Sequence, residues 1–355
     1  MSFILLFTMF RKIAPYVPPA LTTAILASLF VQEFDHLAPE RFKLKIKPLI
    51  DRKAAPPPEF SGDAAPQRGV FAGSDRSYSA VLVVQGTPQA ETRKQLAKSA
   101  AKACLKWGSK DVDIALGFSP RVWDSVKALV PLGNIGQSIA VDYKLKDRTS
   151  EKSQRTIANT GGDILVHVKA DSQGRCAEVV KSVLKELEGS PVTWTEDQYG
   201  YQPEGPSLLC STTSSSSASS NPTALCKIAC VPKIGASYAL YQRWEDDLDT
   251  MKGKAKPVSN HVERMKGMDQ DGAKLQILRH TARTGKLGTK SVDDKAGMLF
   301  VAYSADPRVF DYMLDRMVGR RGGVEDTTML SSRCVRAQQF YIPSQAQINA
   351  LGQTN

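Results

Sequence analysis

The 355-residue chain predicts an α+β fold, two tandem ferredoxin-like domains behind an N-terminal extension. Between residues 78 and 201, apolar alternation and amphipathic spacing succeed one another as strand, helix, strand, strand, helix, strand, the split βαβ order. A second stretch repeats part of that plan. GGDILVHVKADSQGRCAEVVKSVLKELEG at 161–189 and AGMLFVAYSADPRVFDYMLDRMVG at 296–319 each run from an alternating strand through an Ala-Asp corner into an amphipathic helix. Helices packed on one face of an antiparallel sheet follow from that order, which sets the class.

From Met1 to Phe34 the only charges are Arg11, Lys12 and Glu33. The apolar runs there, FILLFTMF and ALTTAILASLFV, are interrupted by Pro15, Pro18 and Pro19 and fall short of the ~20 residues a membrane span needs. The basic pair follows the first apolar run instead of preceding it, unlike a secretory signal. A start nearly free of acids, followed by basic RFKLKIKPLIDRK, fits organelle import, and a mitochondrial address is expected. The alternative is a retained extension that touches a membrane or a larger protein complex through residues 1–34. The Pro-rich KAAPPPEFSGDAAPQRG reads as a linker, so the extension is placed at 1–65.

The first domain is placed at 66–202. YSAVLVVQGT opens it, AETRKQLAKSAAKACLKW forms a helix, VDIALGFS a strand, PRVWDSVKAL a short helix, and SPVTWTEDQYGY closes it after the first repeat segment. The corner Asp of each repeat is suited to cap the first free N–H groups of its helix. Residues 203–232 hold STTSSSSASS, which buries too little apolar surface to order itself and reads as linker. The second domain, 233–345, begins with ASYALYQRW and ends in a strand at 339–344, leaving 346–355 as a tail.

A net charge of +11 and a pI near 9.3 favour acidic partners, but no dense Lys/Arg run with interleaved aromatics is present, so nucleic acid is not an expected partner. Six irregularly spaced cysteines do not make a disulfide scaffold. Cys210, Cys226 and Cys230 do not complete a four-ligand zinc set and read as small buried or loop thiols. Trp194 and Trp244 read as core or rim packing.

GFSPRVWD, GGDILVHVKAD, the W-T-x-x-x-x-G-Y that ends the first half, and the SNH…ILRH…FVAYSADP block of the second half together resemble the dye-decolourising peroxidases, in particular the bacterial type with a compact C-terminal half. The resemblance covers roughly residues 66–345. It implies the dimeric α/β-barrel-type superfamily, haem b as cofactor, hydrogen peroxide as substrate with an unidentified electron donor, and self-association into a homo-oligomer. It further implies that His261 in SNHV is the proximal ligand of the haem iron and that Arg279 in ILRH is the distal, catalytic arginine facing the haem. The chemistry needs both, a neutral imidazole to hold iron and a fixed cation to stabilise charge as the O–O bond separates. Without that setting His261, among Pro257, Ser259 and Asn260, would read as a loop histidine, and Arg279 as a surface cation. His280 is expected on the opposite face of the strand from Arg279. Thr281 stands where relatives often have Asn. By the same resemblance Asp326 in GGVEDTTML takes the place of the acid that accepts the second ring N–H of the proximal histidine, with Ser331 as the alternative position.

One departure shapes the functional reading. The family's distal acid lies in a G-x-x-D-G loop, whereas here Gly200-Tyr201 is followed by PEGPSLLCSTTSSSSASSNPT. Glu204 is the only carboxylate between Asp197 and Glu245, and Thr213 or Ser217 falls at the aspartate position, neither of them a base near neutral pH. Two readings stand: a haem-binding peroxidase that lacks its distal acid, and a catalytically degenerate peroxidase fold kept as an accessory or structural subunit of a mitochondrial membrane complex. A haem carrier or sensor is a third.

Overall fold

The computed structural model describes residue 60 and residues 62–72, 76–107, 111–130, 143–202, 222–247, 267–268, 274–285 and 296–353. The segment expected to carry import or membrane contact lies outside the described residues. Among the described residues no helix is long and apolar enough to cross a membrane.

In chain order the main elements are α1 (Arg68–Phe71), β1 (Tyr78–Gly86), α2 (Ala90–Leu105), β2 (Val112–Phe118), α3 (Pro120–Val126), β3 (Ile164–Ala170), α4 (Gln173–Glu186) and β4 (Val192–Tyr201). These are followed by α5 (Pro222–Ala229), β5 (Ser237–Asp246), β6 (Leu278–Thr284), β7 (Gly297–Ser304), α6 (Arg308–Met317), α7 (Thr328–Ser331), β8 (Ser332–Ile342) and α8 (Gln345–Gln353). The eight strands close into a barrel in the order β1-β3-β2-β8-β5-β7-β6-β4. Within each half the order is fourth, first, third, second, the ferredoxin-like order, and every pairing is antiparallel. The halves meet at two narrow seams, Tyr341 opposite Phe118 and Arg283 opposite Tyr201.

Period-two alternation divides each strand between two cores. Val81, Val83, Leu165, Tyr241, Leu299, Val301 and Phe340 fill the barrel interior. Leu82, Val84, Leu116 and Val166 face outward under α2 and α4, and Leu240 and Ala302 face outward on the side of α6, whose Phe310 and Leu314 are buried. Gly69 lets α1 lie directly on β2, since a Cβ there would stand 2.1 Å from the Ile114 carbonyl carbon.

The structure departs from the sequence reading at four places. Phe60, inside the stretch read as linker, is buried in the barrel interior. The Ser-rich stretch read as linker ends in α5, whose Leu225, Cys226 and Ala229 pack into the same interior, because PTALCKIA places apolar residues at helical spacing. The expected tail is α8, packed on α2 so closely that a Cβ on Gly352 would come within 2.5 Å of Leu105. The corner aspartates differ from each other: Asp306 accepts the Arg308 N–H at 2.9 Å, whereas α4 is capped by Ser172, which accepts from Arg175 at 3.2 Å, and Asp171 pairs with Arg76 at 2.7 Å.

Asp163 ties the first half together. Fully buried, its carboxylate accepts from Gly86 N at 2.8 Å, Ser119 Oγ at 3.1 Å, Gln85 Nε2 at 2.9 Å and Arg121 Nε at 2.6 Å. Asp163→Ala strands the Gly86 and Ser119 donors in the core while the half-exposed Arg121 returns to water. At about 1–3 kcal/mol for each stranded group, a loss of about 3 kcal/mol in urea unfolding is expected. A loss below about 1 kcal/mol would show that the node does not hold the fold.

Candidate functional site

Arg279 is the second residue of β6. Leu278 and Ala282 belong to the interior core and His280 contacts interior groups, so Arg279 and Thr281 face outward, and the expected opposition of Arg279 and His280 is present. The cross-strand register places these outward residues in two rows. Arg279, Ala302, Leu240 and Gln339 lie opposite one another across β6, β7, β5 and β8, and Thr281, Phe300, Gln242 and Ala337 form the adjacent row.

Arg279, Thr281, Gln242 and Gln339 are all buried. Burial pulls the Arg279 pKa down from its ordinary value, because a guanidinium loses hydration there. Three polar atoms of these rows, Thr281 Oγ1, Gln242 Nε2 and Gln339 Nε2, are enclosed without a hydrogen-bond partner among the described residues. Each costs about 1–3 kcal/mol in that state, and a fold does not keep several such groups on one face without use for them. Trp244 Nε1 donates to Gln242 Oε1 at 3.3 Å, which leaves the amide nitrogen as the unused end. The two rows thus offer a cation and hydrogen-bond donors beside the apolar Leu240, Ala302 and Phe300, and no carboxylate. Such a surface suits a flat apolar group that carries anionic oxygens, and haem fits that description.

His261 and the Thr213 and Ser217 positions lie outside the described residues. Asp326 is fully buried between α6 and α7. Its N–H donates to the Met317 carbonyl at 2.9 Å and its Oδ1 accepts the Thr328 N–H at 2.8 Å, so it fixes the start of α7 and is no solvated turn residue. Ser331 Oγ donates to the Thr327 carbonyl at 3.1 Å. Cys226 and Cys230 are buried thiols, as read from the sequence.

Sequence reasoning missed a polar cluster inside the barrel. His167 Nδ1 lies 2.7 Å from the Tyr303 hydroxyl and its Nε2 3.0 Å from Ser79 Oγ. His280 Nε2 lies 3.4 Å from Lys169 Nζ and 3.3 Å from the Val70 carbonyl, and Lys169 also donates to the Ala72 carbonyl. Burial, helped by Lys169, holds the pKa of both histidines well below the ordinary value, and burial raises that of Tyr303. The cluster borders a cavity of about 10 Å³, room for one water. The signal was available: His167 and Lys169 are two apart on an alternating strand, and His280 shares the parity of Leu278.

Residues 242–347, which contain every residue of the two rows except Leu240, match the family profile described as Dyp-type peroxidase, C-terminal. The dye-decolorizing peroxidase of Mycolicibacterium paratuberculosis is 24% identical over 227 residues, covering 54% of this chain and 60% of that protein. That of Mycobacterium tuberculosis is 25% identical over 221 residues, covering 54% and 64%. The chain therefore spans about three-fifths of the length of these curated relatives. Among solved structures, a DypB variant from Rhodococcus jostii in complex with heme superposes with a TM-score of 0.65 at 19% identity, over 82% of this chain and 99% of that one. The dye-decolorizing protein from V. cholerae gives 0.58 at 19% identity, over 81% and 100%. At these identities the structures speak for the fold alone, and the profile and the curated relatives for similarity in sequence. All three comparisons point to one similarity, to the dye-decolourising peroxidases, carried in sequence by residues 242–347 and in fold by most of the chain.

Proposed function

We propose that the chain binds haem b against the outward face of the second-half sheet and reacts with hydrogen peroxide there. The observation that carries this reading is the buried Arg279, set among unpartnered donors in the region that matches the family profile. When bound, haem supplies an iron centre able to take up peroxide and to pass oxidising equivalents to a donor. His261 would be the residue that holds the iron. Arg279 stays charged despite burial, and in a dry site a fixed cation stabilises separating negative charge more strongly than in water. The Thr281 hydroxyl could donate to a peroxide oxygen held beside it but cannot serve as a base, so proton transfer would fall to water. Lacking a distal acid, the reaction is expected to run about 10²–10⁴-fold below a site that has one.

A second reading rests on that same lack: a peroxidase fold retained as an accessory subunit of a mitochondrial membrane complex, with residues 1–34 as its contact. The acid-poor start followed by a basic segment supports the mitochondrial address. Self-association into a homo-oligomer belongs to either reading.

The test is the absorption spectrum of the full chain after haem reconstitution, beside His261→Ala. A stoichiometric Soret band that is lost or shifted in the variant is the expected result. A folded wild-type protein that takes up no haem would sink the reading. Peroxide turnover by the loaded protein then separates enzyme from accessory subunit.

A further inference from the structure

We propose that Gln242 and Gln339 are positioning residues of the haem face, with their amide N–H groups donating to an anionic oxygen of the loaded site. This rests on the haem reading above. Both side chains are buried on strands whose outward neighbours are apolar, Leu240 and Trp244 around the one, Ala337 and Tyr341 around the other. At such positions an aliphatic residue would pack without loss, whereas a glutamine leaves an amide nitrogen enclosed with nothing among the described residues to receive its hydrogens.

Gln242 is held with that nitrogen as its free end, since its oxygen is taken by Trp244. A strand spacing of about 4.8 Å sets Gln242 about 10 Å from Thr281 along one row and Gln339 about 14 Å from Arg279 along the other. That spread is on the scale of a porphyrin with its carboxylate arms. Donors without acids in both rows select an acceptor that carries negative charge, for which each N–H forms a charge-assisted hydrogen bond. The acceptor is a carboxylate of the haem or an anion held at the iron.

The experiment loads the full chain with haem and, separately, with haem dimethyl ester, and titrates the haem-loaded protein with azide. Wild type is compared with Gln242→Leu, Gln242→Glu, Gln339→Leu and Gln339→Glu. If the amides hold haem carboxylates, the leucine variants bind haem about tenfold more weakly and the ester as wild type does. If they hold an iron-bound anion, haem affinity is kept and azide affinity falls about tenfold. The glutamate variants deepen either loss by repulsion, and Gln242→Glu keeps the acceptor for Trp244, so that folding is preserved. The assignment is overturned if folded variants match wild type for haem, ester and azide. It is equally overturned if haem and ester affinities fall together with the melting temperature, the mark of a merely structural role. A wild-type chain that takes no haem overturns the haem reading and this assignment with it.

Discussion

Arg279→Leu is expected to slow the reaction of the haem-loaded protein with peroxide by about 10²–10³-fold, the usual effect of removing one preorganised group that meets developing charge. The side chain is buried in a row whose neighbours are Ala302, Leu240 and Gln339, so no other cation in that row can take over. The same substitution should leave haem uptake in place, which the intensity of the Soret band reads independently of the rate. Stopped-flow mixing with peroxide, read at the Soret band, measures the rate. A variant as fast as wild type would remove Arg279 from the chemistry, whatever the spectrum shows.

Acidification is expected to weaken the fold through the barrel interior. His167 and His280 have folded-state pKa values well below the ordinary value, because burial and the neighbouring Lys169 oppose a second positive charge. Above about pH 6.5 both states carry neutral imidazoles and the stability is fully present. As the pH falls below about 6.5 the unfolded chain binds protons that the folded chain refuses, and stability declines until the folded-state pKa values are reached. For two histidines the slope reaches about 2.7 kcal/mol per pH unit. Urea midpoints at pH 7.5, 6 and 5 would show it, and His280→Gln should halve the slope. Equal midpoints across that range would mean that the interior accepts protons without penalty.

Most of the fold was legible because the alternating strands and the repeated Ala-Asp corner are local patterns that tertiary context did not override. What was not legible depends on what packs where. Phe60 and α5 became core because a closed barrel needs its interior filled, a demand that no single window of sequence expresses. Asp171 gave up the cap to Ser172 because Arg76, remote in sequence, claims its carboxylate. In the outward rows Arg279 stands out in sequence through its ILRH setting, whereas the buried Gln242 and Gln339 do not, since a glutamine on a strand looks solvated until the sheet buries it. The interior histidines are hard to read for the opposite reason: no catalytic motif surrounds them, and His167 sits in a run that reads as plain core.

The two seams have a consequence for how this barrel withstands dilution. A single half would end in unpaired edges at β4 and β2 or at β6 and β8, and would have to find another half by diffusion to cover them. Here each half covers the other's edges within one chain, so closure is a unimolecular event whose equilibrium does not depend on protein concentration. Any homo-oligomer the protein forms is therefore spared the task of completing a sheet, and its loss at low concentration would leave the barrel, and the Arg279 face on it, intact.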